Sequence, residues 1–480
     1  MRPRHPSALA ATGLLAVALV TLPGCATLLE DSGLGDVQTQ LDARLTTGER
    51  QTLQSASTPE RRQQTIAKIE SLLTASPLNA DVAVRIALLN NPGLQMTLAE
   101  LGIADADRVQ AGRLRNPGFS YGRLERGGEI EIERTFLLDI FGLLTMPTRT
   151  AIEERRVEEA KLRVAGEIAS IALETRKAWI DAVSAGQTET YWQQVREAAE
   201  ASAMLGKRMT EAGNWSVQEQ AREQSFLADA TARLALARLQ TEEARERLIR
   251  LLGLWGQQTA FRLPDRLPDL PASSSWNGKE IEARAIRERL DVRLAKQRAE
   301  GLAKSLGLTR ATRFVNVLEA GVMNNTSNEA PIQRGYEIEL VLPLFDWGDA
   351  KVARAEAVYT QAVENVRATA IRARSEGRES YLRYRTAFDL ARHYRDEIVP
   401  LRKQIAEENV LRYNGMLIGV FELLADAREQ IQSVIGAIEA QRDYWRAETD
   451  LRMALTVGSP VAFSLSAPRP AASDAAAGDH

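Results

Sequence analysis

Residues 334–348 read RGYEIELVLPLFDWG, and residues 127–142 read GGEIEIERTFLLDIFG. In both stretches glutamates alternate with aliphatic side chains before an apolar end runs into aspartate and glycine. A period of two is the mark of a β-strand with two unlike faces. Glu129, Glu131 and Glu133 fall on one face, with Ile130 and Ile132 on the other; Glu337 and Glu339 oppose Tyr336, Ile338, Leu340 and Leu342. Each strand has an upstream partner, residues 119–124 and 313–323, across loops at 123–128 and 324–335 rich in Gly, Asn and Ser, as hairpins require. About ten residues at ~3.3 Å each, tilted near 45°, cover roughly 23 Å, the height of the apolar band of a membrane barrel. A soluble sheet with one wet face has the same alternation. Four strands cannot close a barrel, which needs about eight, and open edges do not survive in lipid. A membrane reading therefore requires several chains to pool their strands.

Working outward, the same order of elements occurs twice. Asp139 and Asp346 stand 207 residues apart, and Gly142 and Gly348 follow them. Long helical patterns come next, and each reaches a glycine-marked break, at Gly213 and at Gly415. In the second copy apolar or small residues recur every four and three positions. One series is Tyr359, Val366, Ala373, Ser380, Ala387, Tyr394 and Leu401; its companion is Val363, Ala370, Gly377, Tyr384, Ala391, Ile398 and Ile405. Such heptads predict coiled-coil packing over ~100 Å, with a bend near Val399 because Pro400 cannot donate a hydrogen bond. In the first copy Pro147 suits a helix start, and Val164, Ile168, Ile171, Ala178 and Ala182 make a seam that Glu189 and Arg196 break. Returning helices are expected over 217–253 and 421–457. Residues 26–76 have no strong pattern, and 459–480 is an Ala/Pro/Ser-rich tail expected to be disordered. The expected divisions are 1–24, 25–76 as a linker, repeats over 77–262 and 279–458, a Pro/Ser-rich linker at 263–278, and the tail.

Composition narrows the function. The 480 residues carry 61 Lys+Arg against 64 Asp+Glu, so no basic excess points to nucleic acid. The single cysteine, Cys25, rules out an intrachain disulfide. Arg2 and Arg4 precede an apolar run over 10–22, too short to span a bilayer but suited to a secretory signal. The run ends in Leu22-Pro23-Gly24-Cys25, which resembles a bacterial lipobox, with Pro23 an unusual occupant; cleavage would leave Cys25 as the acylated first residue. Loss of residues 1–24 removes two arginines and no acid, taking the formal charge from -3 to -5. Ala26, and not Asp, follows the cysteine, which in lipoproteins favours the outer membrane.

The lipobox, the duplicated plan, PLFDWG (343–348) and RYNGMLIGVFELLADAR (412–428) together resemble the TolC family of outer-membrane efflux factors, over roughly residues 77–457. NNPGL (90–94), LGIA (101–104) and RNPGF (115–119) are similar to that family's lead into the first strand. The resemblance implies a mainly α fold with a small β part, duplicated helix–strand–strand–helix repeats, and a homotrimer whose α-helical barrel is capped by a 12-stranded transmembrane β-barrel. It also implies a periplasmic adaptor and an inner-membrane pump as partners, and outer membrane lipid around the barrel. The lipobox with ELLADARE (422–429) looks more like lipoprotein efflux factors of resistance-nodulation-division pumps for metals and drugs than like secretion tunnels.

A conduit needs no catalytic group, no cofactor and no nucleic acid, and the expected mechanism is access and charge. Glu129, Glu131, Glu133, Glu337 and Glu339 are the expected lumen residues. Gly213 and Gly415 are the expected tips of the helix turns, where glycine allows backbone angles that other residues resist. Glu422 and Asp426, four apart on one helical face, are the gate candidates: in threefold repeat they give six carboxylates, a ring that favours cations. An exposed acidic helix start suiting the helix dipole is the plainer explanation of the same pair. His5, His393 and His480 are isolated, as are Met416 and Met453, so no metal-ligand spacing occurs. Gly33-x-Gly35 is too brief for a nucleotide site, and no hydrolase motif is present. The competing reading is a periplasmic coiled-coil lipoprotein that tethers or adapts without a pore.

Overall fold

The computed structural model describes residues 27–29, 31–53, 58–74, 77–274, 276–314, 317–341 and 343–460. Cys25, the lipobox and residues 461–480 of the tail lie outside them. After α1 (Leu34–Asp42) and α2 (Pro59–Thr74) come α3 (Ala80–Asn90) and α4 (Pro92–Ala111), then β1 (Gly118–Arg126), β2 (Glu129–Asp139), α5 (Ile140–Glu211) and α6 (Val217–Leu252). The order then recurs as α7 (Ile281–Glu288), α8 (Leu290–Ala311), β3 (Leu318–Ser327), β4 (Gln333–Leu340), α9 (Asp349–His393), α10 (Val399–Asn414) and α11 (Val420–Thr456). The chain is thus mainly α and internally duplicated. α1 and α2 occupy the stretch without a strong pattern; their apolar content is thin, and Val37, Leu41 and Ile69 are the side chains they bury fully.

Contacts sort the chain into two units, each drawn from both repeats. One comprises residues 1–37, 98–164 and 293–369 and contains the strands; the other comprises 38–97, 165–292 and 370–480. In the first unit all four strands form one antiparallel sheet in the order β1-β2-β3-β4, so the two sequence copies pair through β2 and β3. The first hairpin is tighter than its glycine-rich sequence suggests. Pairing runs out to Arg126 opposite Glu129, and the turn is Gly127-Gly128 alone, both with positive φ (59° and 96°). Two left-handed residues match the twist of the flanking strands, and glycine adopts them at least cost. Asn328 ties this turn to the second hairpin: its amide donates to Gly128 O (3.0 Å), and its Oδ1 accepts from Ile130 N–H (2.8 Å).

The two copies differ where strand becomes helix. β2 runs directly into α5, and Asp139 caps it by accepting from Gly142 N–H at 2.6 Å. The helix therefore starts at Ile140 and Pro147 lies inside it, not at its start as the sequence suggests. An aspartate that can accept a free N–H defines the start more strongly than a proline that merely tolerates one. In the second copy Asp346 accepts from Gly348 N–H (2.9 Å), and α9 begins at Asp349. Gly348 has φ +73°, and a Cβ there would lie 2.8 Å from Arg313 O.

In the second unit the helices pack around three apolar clusters. Ala178, Trp179, Ala182 and Val183 of α5 meet Ile86 and Ala87 of α3 and Leu248 and Leu252 of α6, and Trp179 Nε1 donates to Leu78 O (2.6 Å). Tyr384, Ala387, Phe388 and Ala391 of α9 meet Tyr444, Leu451 and Leu455 of α11. Of the seam read from the heptads, Ala373, Gly377, Ser380, Tyr384, Ala387, Ala391 and Tyr394 are buried. Leu401 and Ile405 are exposed, and Arg402, Ala406 and Asn409 turn inward in their place. The cause is Pro400. The helix does not simply bend there: residues Tyr394–Ile398 form one π-helical turn. The wider turn takes up the strain of a proline that has no N–H and crowds the preceding carbonyls. It also inserts one residue, so every later inward position moves by one. In the first copy Glu189 and Arg196 stay out of the seam, which passes through Trp192, Val195 and Ala199.

Candidate functional site

Register assigns every strand residue to a face, because directly paired residues project to the same side. Leu124↔Glu131, Gly122↔Glu133 and Arg126↔Glu129 in one hairpin, and Gly321↔Glu337 and Glu319↔Glu339 in the other, are joined by Glu131↔Ser327 and Leu137↔Gly321. All five glutamates read from the sequence therefore lie on one face of one sheet. Two more carboxylates join them. Asp139 pairs with Glu319, which pairs with Glu339, so three acids sit in a row across β2, β3 and β4 at the helix end of the sheet. Like charges directly opposed repel; Arg115 offsets part of this at 3.6 Å from Asp139. Glu319 was legible in principle, since it alternates with Leu318 and Ala320, but the short run gave it little contrast.

The opposite face is apolar. Phe119↔Phe136, Phe136↔Val322, Val322↔Tyr336 and Ala320↔Ile338 make continuous rows across the strands. Phe119 and Phe136 touch, with ring centroids 4.8 Å apart. Among the described residues nothing covers the middle of this face: Val322 is 63% exposed, Ile338 64% and Tyr336 81%. A contiguous exposed patch of this kind marks a contact surface, not a solvent face. Among the described residues the edge strands β1 and β4 have no further partner in the sheet.

The helix turns lie in the second unit. Past α5, Gly213 takes φ +76°, and Asn214 N–H donates back to Met209 O (2.9 Å). Ser216 then opens α6 with a reciprocal capping box to Glu219, whose carboxyl is held below its ordinary range by the Ser216 N–H it accepts. Past α10 the backbone solution differs. Gly415 has φ −81°, and Met416 takes the left-handed angle, φ +59°. Glycine at 415 is therefore not required by its own angle, contrary to the expectation from sequence. Met416 and Leu417 are 94% and 72% exposed.

Of the two gate candidates, Glu422 is exposed in the first turn of α11 and Asp426 is half-buried. Asp426 accepts a hydrogen bond from the Asn409 amide of α10, so its carboxylate is engaged within its own hairpin. The stronger electrostatic feature nearby escaped the sequence reading. Glu223 of α6, 1% exposed, accepts from Ser202 (2.8 Å) and pairs with Arg428 of α11 at 3.1 Å, and the Arg428 guanidinium lies 4.5 Å from the Phe226 ring. Arg402 of α10 pairs with Glu429. No periodicity reports such a tie, because Glu223 and Arg428 are 205 residues apart.

Among the described residues no three His, Cys, Asp or Glu side chains group to hold a metal ion, and no helix is long and apolar enough to cross a membrane.

The fold is that of solved outer-membrane channels. The outer membrane protein VceC of Vibrio cholerae matches with a TM-score of 0.66 at 15% identity, over 82% of this chain and 98% of that one. The outer-membrane channel OprN gives 0.65 at 17%, over 86% and 96%. The MtrE outer membrane channel of Neisseria gonorrhoeae, in its open state, gives 0.63 at 16%, over 78% and 88%. No family model matches the sequence, and no curated protein sequence matches it.

Proposed function

From the premise of a TolC-type outer-membrane channel fold, we propose that this chain is one third of a passive conduit, the outer-membrane component of a tripartite efflux system. One observation carries the reading: a four-stranded sheet with an acidic face, an uncovered apolar face and two open edges. Water satisfies the first, lipid the second, and neighbouring copies the third. Three copies supply twelve strands, enough to close a barrel, with Glu129, Glu131, Glu133, Glu337 and Glu339 in the lumen. The helical hairpins extend into the periplasm, with the turns at Gly213 and Gly415 toward a periplasmic adaptor and an inner-membrane pump. Acylated Cys25 anchors the chain to the membrane. The transported species are small molecules or metal cations.

Glu422, uncommitted to any hydrogen bond or ion pair among the described residues, is the better of the two gate candidates; Asp426 contributes charge while holding Asn409. A ring of such carboxylates favours cations. The test joins assembly to conduction. Mature protein in detergent is sized by light scattering, then fused into planar bilayers. A trimer with discrete conductance steps is the expected result, and Glu422→Gln with Asp426→Asn lowers cation preference without abolishing the steps. A monomer without conductance overturns the channel, as does release of Cys25→Ser protein from membranes by high salt without detergent.

A further inference from the structure

Charge of both signs occurs outside the acid cluster of the sheet. Seven carboxylates share one face and Glu125, opposite Ile130, lies on the other, where Arg123, Arg134 and Arg334 also project. Arg134 pairs with Tyr121, and Arg334 pairs with Asn324. The register that sets Ile132 opposite Thr326 and Thr135 opposite Met323 brings Arg134 level with Asn324. Tyr121, Arg134, Asn324 and Arg334 thus form one row across all four strands. Arg123, opposite Ile132, stands two residues nearer the hairpin loops. Arg123 reaches Glu125 at 3.4 Å; Arg134 and Arg334 make no ion pair with any described residue.

Position limits what these cations can meet. An arginine facing lipid is costly at the bilayer midplane and nearly neutral at the interface, so three of them at similar height place that height at headgroup level. Distances agree. From the Leu318–Leu340 pair to the arginine row is six residues, about 20 Å along the strands and about 14 Å along a membrane normal at a tilt near 45°. An apolar band of ~25 Å must then continue below the strands. There Leu344, Phe345 and Trp347 are exposed, Phe345 almost completely (98%), and Trp347 stacks edge-on with Phe314 at 6.3 Å. The arginines sit at the loop-side boundary of the apolar surface, and the aromatic group sits toward the helices.

Resting on the barrel reading above, we infer that Arg123, Arg134 and Arg334 bind the phosphate groups of anionic lipids in the leaflet nearest the hairpin loops. A planar guanidinium donates two parallel hydrogen bonds to a phosphate and is weakly hydrated, which suits it to that boundary. In a three-copy barrel the row becomes a girdle of nine guanidinium groups, and anionic lipid ordered on it seals the wall where Thr326 and Asn324 interrupt the apolar face.

The test uses full-length acylated protein in vesicles of phosphatidylcholine, with or without one third phosphatidylglycerol. Native mass spectrometry counts the lipids that stay bound, and planar-bilayer conductance reports separately whether the barrel exists. The wild type is expected to retain phosphatidylglycerol over phosphatidylcholine by about fivefold or more per site, the effect of one arginine near an anionic surface. The triple variant Arg123→Gln, Arg134→Gln, Arg334→Gln still conducts but retains the two lipids equally. Arg126→Gln, on the acidic face and three residues nearer the turn than Arg123, leaves the preference unchanged. Equal retention by the wild type overturns the inference. So does a triple variant whose oligomer dissociates as readily in phosphatidylcholine alone as in the mixture, since the arginines would then be pairing with a neighbouring copy's carboxylates. Absence of conductance in every protein and lipid removes the barrel itself, a different failure from loss of lipid preference.

Discussion

Met416 and Gly213 solve the same problem in opposite ways. Each follows a helix that must reverse, and each holds a positive φ, +59° and +76°, but a methionine in that region meets a steric penalty that glycine avoids. Met416→Gly is therefore expected to raise stability by about 1 kcal/mol and Gly213→Ala to lower it by a similar amount, read as denaturant midpoints in detergent. Equal and opposite shifts are the expected pattern; destabilisation by Met416→Gly would mean that the exposed side chain, and not the backbone, matters there. The sequence placed both turns, because glycine marks them. It did not say which residue takes the left-handed angle, since that depends on how Leu417 N–H returns to Arg412 O (2.8 Å). The five strand glutamates were legible one by one. Glu223 and Arg428 were not, because a buried ion pair between distant segments leaves no local trace.

Among the elements, the helix through Pro400 is the most instructive. Heptads gave its inward face correctly from Ala373 to Tyr394 and then missed by one residue, because a π-helical turn advances the phase and nothing in the heptads encodes it. Tyr394, the first residue of that turn, packs against Gly436 of α11, where a Cβ would come 2.7 Å from the ring. Gly436→Ala is expected to cost about 1–3 kcal/mol by overpacking, seen as a lower unfolding midpoint and relieved by Tyr394→Leu in the same chain. In α5, burial pushes the Glu159 carboxyl up from 4.5, partly opposed by Arg298, Arg163 and Arg156. The unfolded chain releases that proton first, so the folded state binds more protons just above pH 4.5 and its stability falls as pH rises through the window. Glu159→Gln is expected to remove that portion of the pH dependence and to leave the fold slightly more stable at pH 7. An unchanged slope in thermal melts between pH 4 and 7 would refute the assignment.

At the scale of the whole molecule the two faces of the sheet make unlike demands. Leu340→Arg, about 14 Å along the normal from the arginine row and so near the middle of the apolar band, is expected to oppose membrane insertion by about 2–4 kcal/mol, whereas Glu337→Arg on the acidic face inserts normally and shifts ion selectivity toward anions. Heat-modified mobility on gels reports the first, and reversal potential in a salt gradient the second; equal tolerance of both variants would sink the assignment of faces. Alternation with period two and heptads with period 3.5 were enough, read alone, to give the long helices, the strands, their order and their duplication, though not α1 and α2 in the stretch expected to be a linker, because those patterns record which side of each element leaves water. The single sheet that joins both copies, the acid row through Asp139, Glu319 and Glu339, the phase slip at Pro400 and the height of the arginines belong to the tertiary structure. Each depends on which backbone lies opposite which, and pairing between segments some two hundred residues apart is fixed by register and packing, not by any local repeat.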